Sequence, residues 1–229
     1  GAVTRHGHRM AELPMHPRLA HMVLAAMDAG GGAAACDVAA LLSERDFVSF
    51  ASGEPDSDLR LRLEIVHDLR AGKRPEASRS PVDRAACRRV IRLAEVLRRR
   101  LGVAAQDAVR SEAGRLLAWA YPDRIGQRRA GASGRYLLTN GRGAFFSAPE
   151  PLSGSDYIVA ADLDGERREA RIFLAAAYDL ATLLDQYAGQ VHTRTILDWD
   201  ARRQMVIAER ELRLGALVLK SEPLSSPDP

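Results

Sequence analysis

The chain has 229 residues, 46% of them hydrophobic, which is enough for one large domain or two small ones with buried cores. Two domains are expected. The sequence has no run of about 18 apolar residues and no charged-then-apolar leader pattern, so neither a transmembrane span nor a secretory signal is expected, and a cytoplasmic protein is. The net charge of +3 conceals an asymmetry. Residues 60–142 hold 20 Lys/Arg against 8 Asp/Glu, a balance of 20 − 8 = +12, whereas residues 151–229 hold 9 against 13, a balance of 9 − 13 = −4. Basic charge concentrated in this way is a footprint for polyanions. The plainer alternative is compositional, because arginine outnumbers lysine 31 to 2.

The first dozen residues show no hydrophobic partner of their own and read as an orphaned edge. Pro17 then opens a helix in which Leu19, Met22, Val23, Ala26 and Met27 follow helical spacing, and Gly30, Gly31 and Gly32 stop it. A second helix is predicted from Ala33 to Ser43, burying Val38, Leu41 and Leu42. A third starts at Asp58, carries Leu59, Leu63, Val66 and Leu69 on one face, and ends at Gly72. The fourth is predicted to be capped by Ser80, with Pro81 in its first turn, and to run to Gly102. Its apolar stripe includes Val82, Ala86, Val90, Leu97 and Leu101, while Arg84, Arg88 and Arg92 share the opposite face at i, i+4 spacing. A fifth helix, from about Ala105 to Ala120, buries Val109, Ala113, Leu116, Leu117 and Ala120, and Pro122 terminates it.

After Pro122 the hydrophobic period changes from helical to alternating. Strands are predicted at Arg135 to Thr139 and Ala144 to Ser147, joined by Asn140-Gly141-Arg142-Gly143, and at Tyr157 to Leu163 and Arg171 to Leu174, around an Asp164-Gly165 turn. A short helix follows near Asp179 to Tyr187, then a hairpin pairing Val191 to Trp199 with Gln204 to Glu211, then the apolar run Leu217-Val218-Leu219 before a Pro/Ser tail. The predicted class is α+β: an N-terminal helical domain followed by a small antiparallel OB-like barrel.

Catalytic signatures are missing from the sequence. There is no GxxxxGKS/T phosphate loop and no DEAH box, and Gly72-Lys73 lacks both the following Ser/Thr and the upstream glycine. No HExxH occurs, and Gly154-Ser155-Asp156 lacks the second glycine of a nucleophile elbow. Asp162 and Asp164 share a strand face beside a turn, where acids are ordinarily solvated. Cys36 and Cys87 stand alone, which fits reduced buried thiols and neither a metal site nor a disulfide. No catalytic residue, metal ligand or cofactor is therefore assigned to this chain.

Several segments in order carry a resemblance. Thr4 to Ala20, Tyr121 to Arg129 (with Pro122-Asp123-Arg124-Ile125-Gly126-Gln127-Arg128-Arg129), Gly134 to Ala144, Ala161 to Gly165 with Arg168 to Leu174, and Arg213 to Leu219 are similar to successive landmarks of HrpB-type ATP-dependent helicases of the DEAH/RHA group. The resemblance implies a remnant of a winged-helix exit at residues 1–12, a helical ratchet (HA2-like) domain at 13–110, an OB-like module at 111–178 and the start of a family-specific C-terminal extension at 179–229. It departs from the family at His8, where Arg or Lys is usual. It departs again at the end of the sequence, where family members continue, so a piece lacking the motor and the final segment is expected.

The resemblance also implies that the ratchet and OB-like modules line the exit side of a single-strand channel. Arginine binds phosphate through bidentate hydrogen bonds, and aromatic rings stack on bases without demanding a sequence. The expected nucleic-acid site is Arg124, Arg128, Arg129, Arg135, Tyr136 and Arg142, with Phe145 close by. For each arginine the plainer reading is a solvated residue or an ion-pair partner of Asp123 or Glu112, and for Tyr136 and Phe145 it is barrel core. Arg84, Arg88 and Arg92 are expected to face the motor or a partner protein. The implied partners are single-stranded RNA, with DNA possible, and the protein's own motor domains, which would use ATP and Mg; no membrane partner is expected. The competing expectation is a protein-interaction module that binds no nucleic acid itself.

Overall fold

A computed structural model of the protein describes residues 2–50, 55–74, 81–104, 112–165, 169–200 and 204–224. The expected cap Ser80, the expected core residue Val109, the 110/111 boundary, Arg168 and most of the Pro/Ser tail lie outside these residues.

The first element corrects the expectation of an orphaned edge. Residues Arg5–Ala11 form helix α1, because the Thr4 hydroxyl accepts from the Gly7 N–H at 3.1 Å and caps its first turn. None of its residues is buried, but Met10 packs on a small cluster of Leu13, Ala20 and Leu24. His6 Nε2 also lies 2.8 Å from His21 Nδ1 on the next helix. Helix α2, Pro17–Asp28, starts with proline in its first turn as expected and buries Leu19, Ala20, Met22, Val23, Leu24 and Ala26.

Helix α3, Gly32–Ser43, buries ten of its twelve residues, Gly32 through Leu41, so it is the central helix, packed on several sides. Its alanines permit that close approach. Helix α4, Leu59–Arg70, is capped by Asp58, whose carboxylate accepts from the Arg60 N–H at 2.9 Å. Helix α5, Arg84–Leu101, begins later than the sequence suggests. Asp83 is the cap, accepting from Ala85 and Ala86, because Val82 is taken into an extended bridge with Val48. Gly102, at φ 64°, ends the helix in the left-handed region. Helix α6, Ala113–Ala120, is the described part of the expected fifth helix and buries Leu116 and Leu117.

A buried ionic cluster ties α3, α4 and α5 together. Asp37 on α3 is 2% exposed and accepts from Arg70 of α4 at 2.7 and 3.1 Å and from Arg98 of α5. Nearby, Arg62 is equally buried; it donates to Asp46 at 2.9 Å and to the carbonyls of Asp56 and Asp58, which fixes the chain between α3 and α4. Cys36 and Cys87 are buried and unpaired, with burial pushing both thiols up to about 11.

Strands β1 (Ile125–Arg128), β2 (Arg135–Leu138), β3 (Gly143–Phe145), β4 (Tyr157–Leu163) and β5 (Glu169–Ala177) close a barrel in the order β1-β2-β3-β5-β4. Four pairings are antiparallel, while β3 and β5 run parallel, which makes this expected OB-like barrel mixed rather than purely antiparallel. β1 is an addition: Ile125-Gly126-Gln127-Arg128 is not among the strands predicted from the sequence. A Cβ at Gly126 would meet Leu138, Tyr136 and Ile158 at 3.1 to 3.3 Å inside the barrel, so those side chains would have to give by a few tenths of an ångström to admit one. Helix α7, Leu180–Gln186, then leads to a separate sheet of β6 (His192–Asp200), β7 (Met205–Leu214) and β8 (Leu217–Pro223) in that order. This sheet is anchored on the barrel by Gln127 Nε2 donating to the Val218 carbonyl at 2.7 Å and by the Ala216 N–H donating to Thr139 at 2.9 Å.

The main core cluster runs from the helices through α6 into Ile125, Val159, Leu174 and Ala176. A second cluster, Tyr136, Leu138, Ala144, Phe146, Ile158 and Ile172 among others, fills the barrel. Among the described residues no helix is long and apolar enough to cross a membrane.

Asp37→Ala would leave Arg70 and Arg98 without their shared carboxylate. We expect it to cost about 3 kcal/mol or more of unfolding free energy, read from the urea midpoint. A loss below about 0.5 kcal/mol would mean that water replaces the carboxylate and that the cluster is not structural.

Candidate nucleic-acid interface

The segment Tyr121 to Arg129 enters the barrel through a clamp. Arg18 of α2 reaches across to Asp123 with two hydrogen bonds, Nη1 at 2.5 Å and Nη2 at 3.2 Å, and donates to the Ala120 carbonyl at 3.3 Å. Burial works to raise the Asp123 carboxyl, but the hydrogen bonds and charge of Arg18 outweigh it and hold it below the usual range. Two guanidinium groups lie over the Tyr121 ring, Arg18 at 5.5 Å and Arg124 at 4.8 Å from its centre. Asp123 thus pairs with an arginine more than a hundred positions away, and Arg124 instead donates to the Ala161 carbonyl at 2.9 Å.

The six residues expected at the site do not form one patch. Tyr136 faces the barrel interior, fully buried, with its hydroxyl donating toward the carbonyls of Leu152 at 2.8 Å and Ser155 at 3.0 Å and its ring edge-on to Phe146. Burial pushes its hydroxyl up to about 12. Its expected role as a stacking ring is therefore corrected: no base can reach it. Arg128 lies opposite Tyr136 in register, at the end of β1, and pairs with the exposed Asp156 at 2.5 Å. Arg124 stands apart beside α6.

Arg129, Arg135 and Arg142 do come together, on the outer face of β2, β3 and β5. Glu169 receives Arg129 at 3.2 Å and Arg135 at 2.5 Å, and Arg142 donates to the Gly165 carbonyl at 3.3 Å beside the β4–β5 turn. Gly143 lies directly opposite Glu169, and a Cβ there would meet Glu169 Cγ at 2.8 Å and Arg129 Nη2 at 2.9 Å, so a side chain would displace this pair.

The same face holds groups that the sequence analysis left out of the site. Strand alternation turns Arg135 and Leu137, Gly143 and Phe145, and Glu169, Arg171 and Phe173 outward, while Tyr136, Ala144, Ala170 and Ile172 turn inward. Arg135 stands opposite Phe145, and Phe145 opposite Arg171. The guanidinium of Arg135 lies 5.7 Å from the Phe145 ring centre, and that of Arg171 lies 5.0 Å from the Phe173 ring centre. Phe173 is 43% exposed. The result is a stripe of alternating cations and rings across three strands. Its signal in the sequence was the alternation of Arg171-Ile172-Phe173-Leu174, read there only as a strand.

The stripe ends at a cleft of about 810 Å³ between the helices and the barrel. Arg171 and Phe173 line it together with Phe50, Tyr121 and Arg62 and the acids Glu44, Asp46, Asp56, Glu150 and Asp162. Burial raises the Glu150 carboxyl, although it accepts from the Ser57 N–H at 2.6 Å. On the helical side, Arg84, Arg88 and Arg92 lie exposed along α5, with no acidic partner among the described residues, and the exposed Val96 continues the row one turn on.

Residues 190–224 match the family described as the connector region of the ATP-dependent RNA helicase HrpB. The ATP-dependent RNA helicase HrpB of Escherichia coli is 30% identical over 223 residues, which are 96% of this chain and 24% of that protein. A crystal structure of the E. coli DExH-box NTPase HrpB superposes with a TM-score of 0.71 at 31% identity, and one of the Escherichia coli DEAH/RHA helicase HrpB with 0.71 at 27%. Each superposition covers 98% of this chain and 25% of the other. The chain therefore spans about a quarter of the length of the relatives it matches.

Tyr136→Phe keeps the ring contact with Phe146 and removes only the hydroxyl. It should cost about 1–3 kcal/mol in stability, the range for leaving buried partners unpaired, and should not alter nucleic-acid binding. A thermal melt and a binding titration on the same variant check both halves; weakened binding by a stable variant would restore Tyr136 to the site.

Proposed function

Since the chain matches the C-terminal region of HrpB-type helicases over nearly its whole length, we propose that it is a non-catalytic region that grips single-stranded nucleic acid, RNA first and DNA possible, while a motor elsewhere in the longer protein steps along it. The observation that carries this reading is the stripe Arg135, Phe145, Arg171 and Phe173, in which guanidinium groups and rings alternate at directly paired positions. Rings accept bases of any identity, and guanidinium groups neutralise phosphates. Glu169 holds Arg129 and Arg135 in place in the absence of a strand, and exchange of that half-exposed carboxylate for phosphate costs little because surface ion pairs are weak. ATP and Mg would be bound by the motor, which the α5 row of Arg84, Arg88 and Arg92 would face.

A second reading, docking on the motor or on a partner protein without direct strand contact, is favoured by a different observation. The barrel arginines already have acids or carbonyls as partners, whereas Arg84, Arg88 and Arg92 have no acidic partner among the described residues.

Anisotropy of a labelled single-stranded RNA at several salt concentrations separates the two. Phe145→Ala with Phe173→Ala should weaken binding by about 10-fold or more, since one stacked base is worth about 1–3 kcal/mol. Arg135→Ala with Arg171→Ala should flatten the salt dependence by about 0.7 per lost phosphate contact. Replacing Arg84, Arg88 and Arg92 by alanine should leave both quantities unchanged. Binding that ignores the barrel variants and disappears with the α5 variant would overturn the strand-gripping role of this face.

A further inference from the structure

Among the described residues nothing pairs with the outer edge of β6, which runs over nine residues, His192–Asp200, in the β6-β7-β8 sheet. Beyond the end of β8 the arm is only two strands wide: β7 pairs with β8 from Glu209 to Leu214, while the β6–β7 pairing continues to Asp200 and Met205. Two strands alone are marginal in water. The arm also exposes large apolar side chains, Leu197 at 62%, Trp199 at 58% and Val206 at 58%. Trp199 is paired directly with Val206, and Leu197 lies two residues away on the same face. An open strand edge beside an exposed apolar face is a template for a further strand.

The sequence of the edge indicates which strand fits. Charged residues usually protect such an edge by repelling a copy of itself. Here the antiparallel register centred on Ile196 does the opposite. It overlaps all nine residues and places Ile196 against its own copy, Thr195 against Leu197, Thr193 against Trp199, and Arg194 against Asp198 on both sides of the two-fold axis. Every position meets one of the same parity, so each residue keeps its face: Leu197 and Trp199 stay with the threonines on one, and Arg194 and Asp198 flank Ile196 on the other. Arg194 is exposed and has no acidic partner among the described residues, while Asp198 Oδ1 accepts from the neighbouring Trp199 N–H at 2.8 Å and its second oxygen is available.

We propose that two copies of this chain associate through β6, forming one continuous six-stranded sheet, β8-β7-β6 followed by the same strands of the second copy in reverse. The two Arg194–Asp198 pairs set the register, and Leu197 of each copy approaches the other diagonally across the axis. Such an interface is isologous, as a closed dimer requires. A single strand pair is small beside a standard interface of about 1,200–2,000 Å², so the dimer is reversible and dilutes to monomer.

Sedimentation equilibrium of the full 229-residue chain, nuclease-treated, across the low to high micromolar range provides the test. The expected result is a concentration-dependent monomer–dimer equilibrium. Asp198→Arg should abolish it by setting four arginines around the axis, Arg194→Asp should do the same by gathering four acids, and the double exchange should restore it with circular dichroism unchanged throughout. A chain that stays monomeric at every concentration overturns the proposal, as does a dimer that the single charge reversals leave intact. Dimer loss in the double exchange would equally overturn this register.

Discussion

Helix α6 is the constraint on which the rest of the arrangement depends. It packs at once on α2, β4 and β5, and the closeness of that packing is set by Gly114, where a Cβ would lie 2.2 Å from the Ala177 carbonyl oxygen. A helix can press this tightly onto strand backbone only where a side chain is missing. Tyr187 secures the outer side by donating its hydroxyl to the Ala118 carbonyl at 2.7 Å. Because α6 continues directly into the clamp of Arg18 on Asp123, the position of the barrel's first strand follows from the position of this helix. The cleft and the stripe that leads to it are products of that junction, since their walls come from opposite sides of it.

The concentration of basic charge divides into three physically different populations. Arg62 and Arg98 are buried and Arg70 is half-buried; each is engaged with a carboxylate, and they hold the helices. Arg128, Arg129 and Arg135 are surface groups with exposed or half-exposed acidic neighbours, in pairs weak enough to open for a phosphate. Arg84, Arg88 and Arg92 stand in a row without acidic neighbours among the described residues. A net balance of +12 over residues 60–142 therefore overstates the free positive surface.

The two β units have different relations to the helices. The barrel closes its edges and buries a core of its own around Tyr136, Leu138 and Ile158. The three-stranded sheet is held by Leu214, Leu217 and Leu219, which join the main core, and by hydrogen bonds at Thr139 and Val218, and among the described residues β6 is its outer strand. Gly215, at φ 54° and with a Cβ position 2.5 Å from the Thr139 carbonyl oxygen, brings the β7–β8 turn close enough for that attachment. Closure leaves the barrel without a free edge, whereas among the described residues the sheet ends at β6.

Local chemistry alone specified much of the fold. Helical spacing located α2, α3 and α4, proline and Asp58 located two helix starts, alternation located β2, β4 and β5, and Asn140-Gly141 marked a hairpin. The α+β order and an OB-like barrel were legible because hydrophobic period is a property of neighbouring residues. What the sequence could not reveal were the relations between distant residues. Asp83 caps α5 because Val82 is drawn to Val48, and Ile125-Gly126-Gln127-Arg128 becomes a strand only because β2 and β4 lie on either side of it. The candidate site shows the same division. The arginine types and their strand-and-turn setting were readable, but strand parity sent Tyr136 inward and Phe173 outward, and barrel closure set Arg171 beside Phe145. Which face a residue presents, and which distant partner it meets, is decided by register and closure, and those exist only once the whole chain is packed.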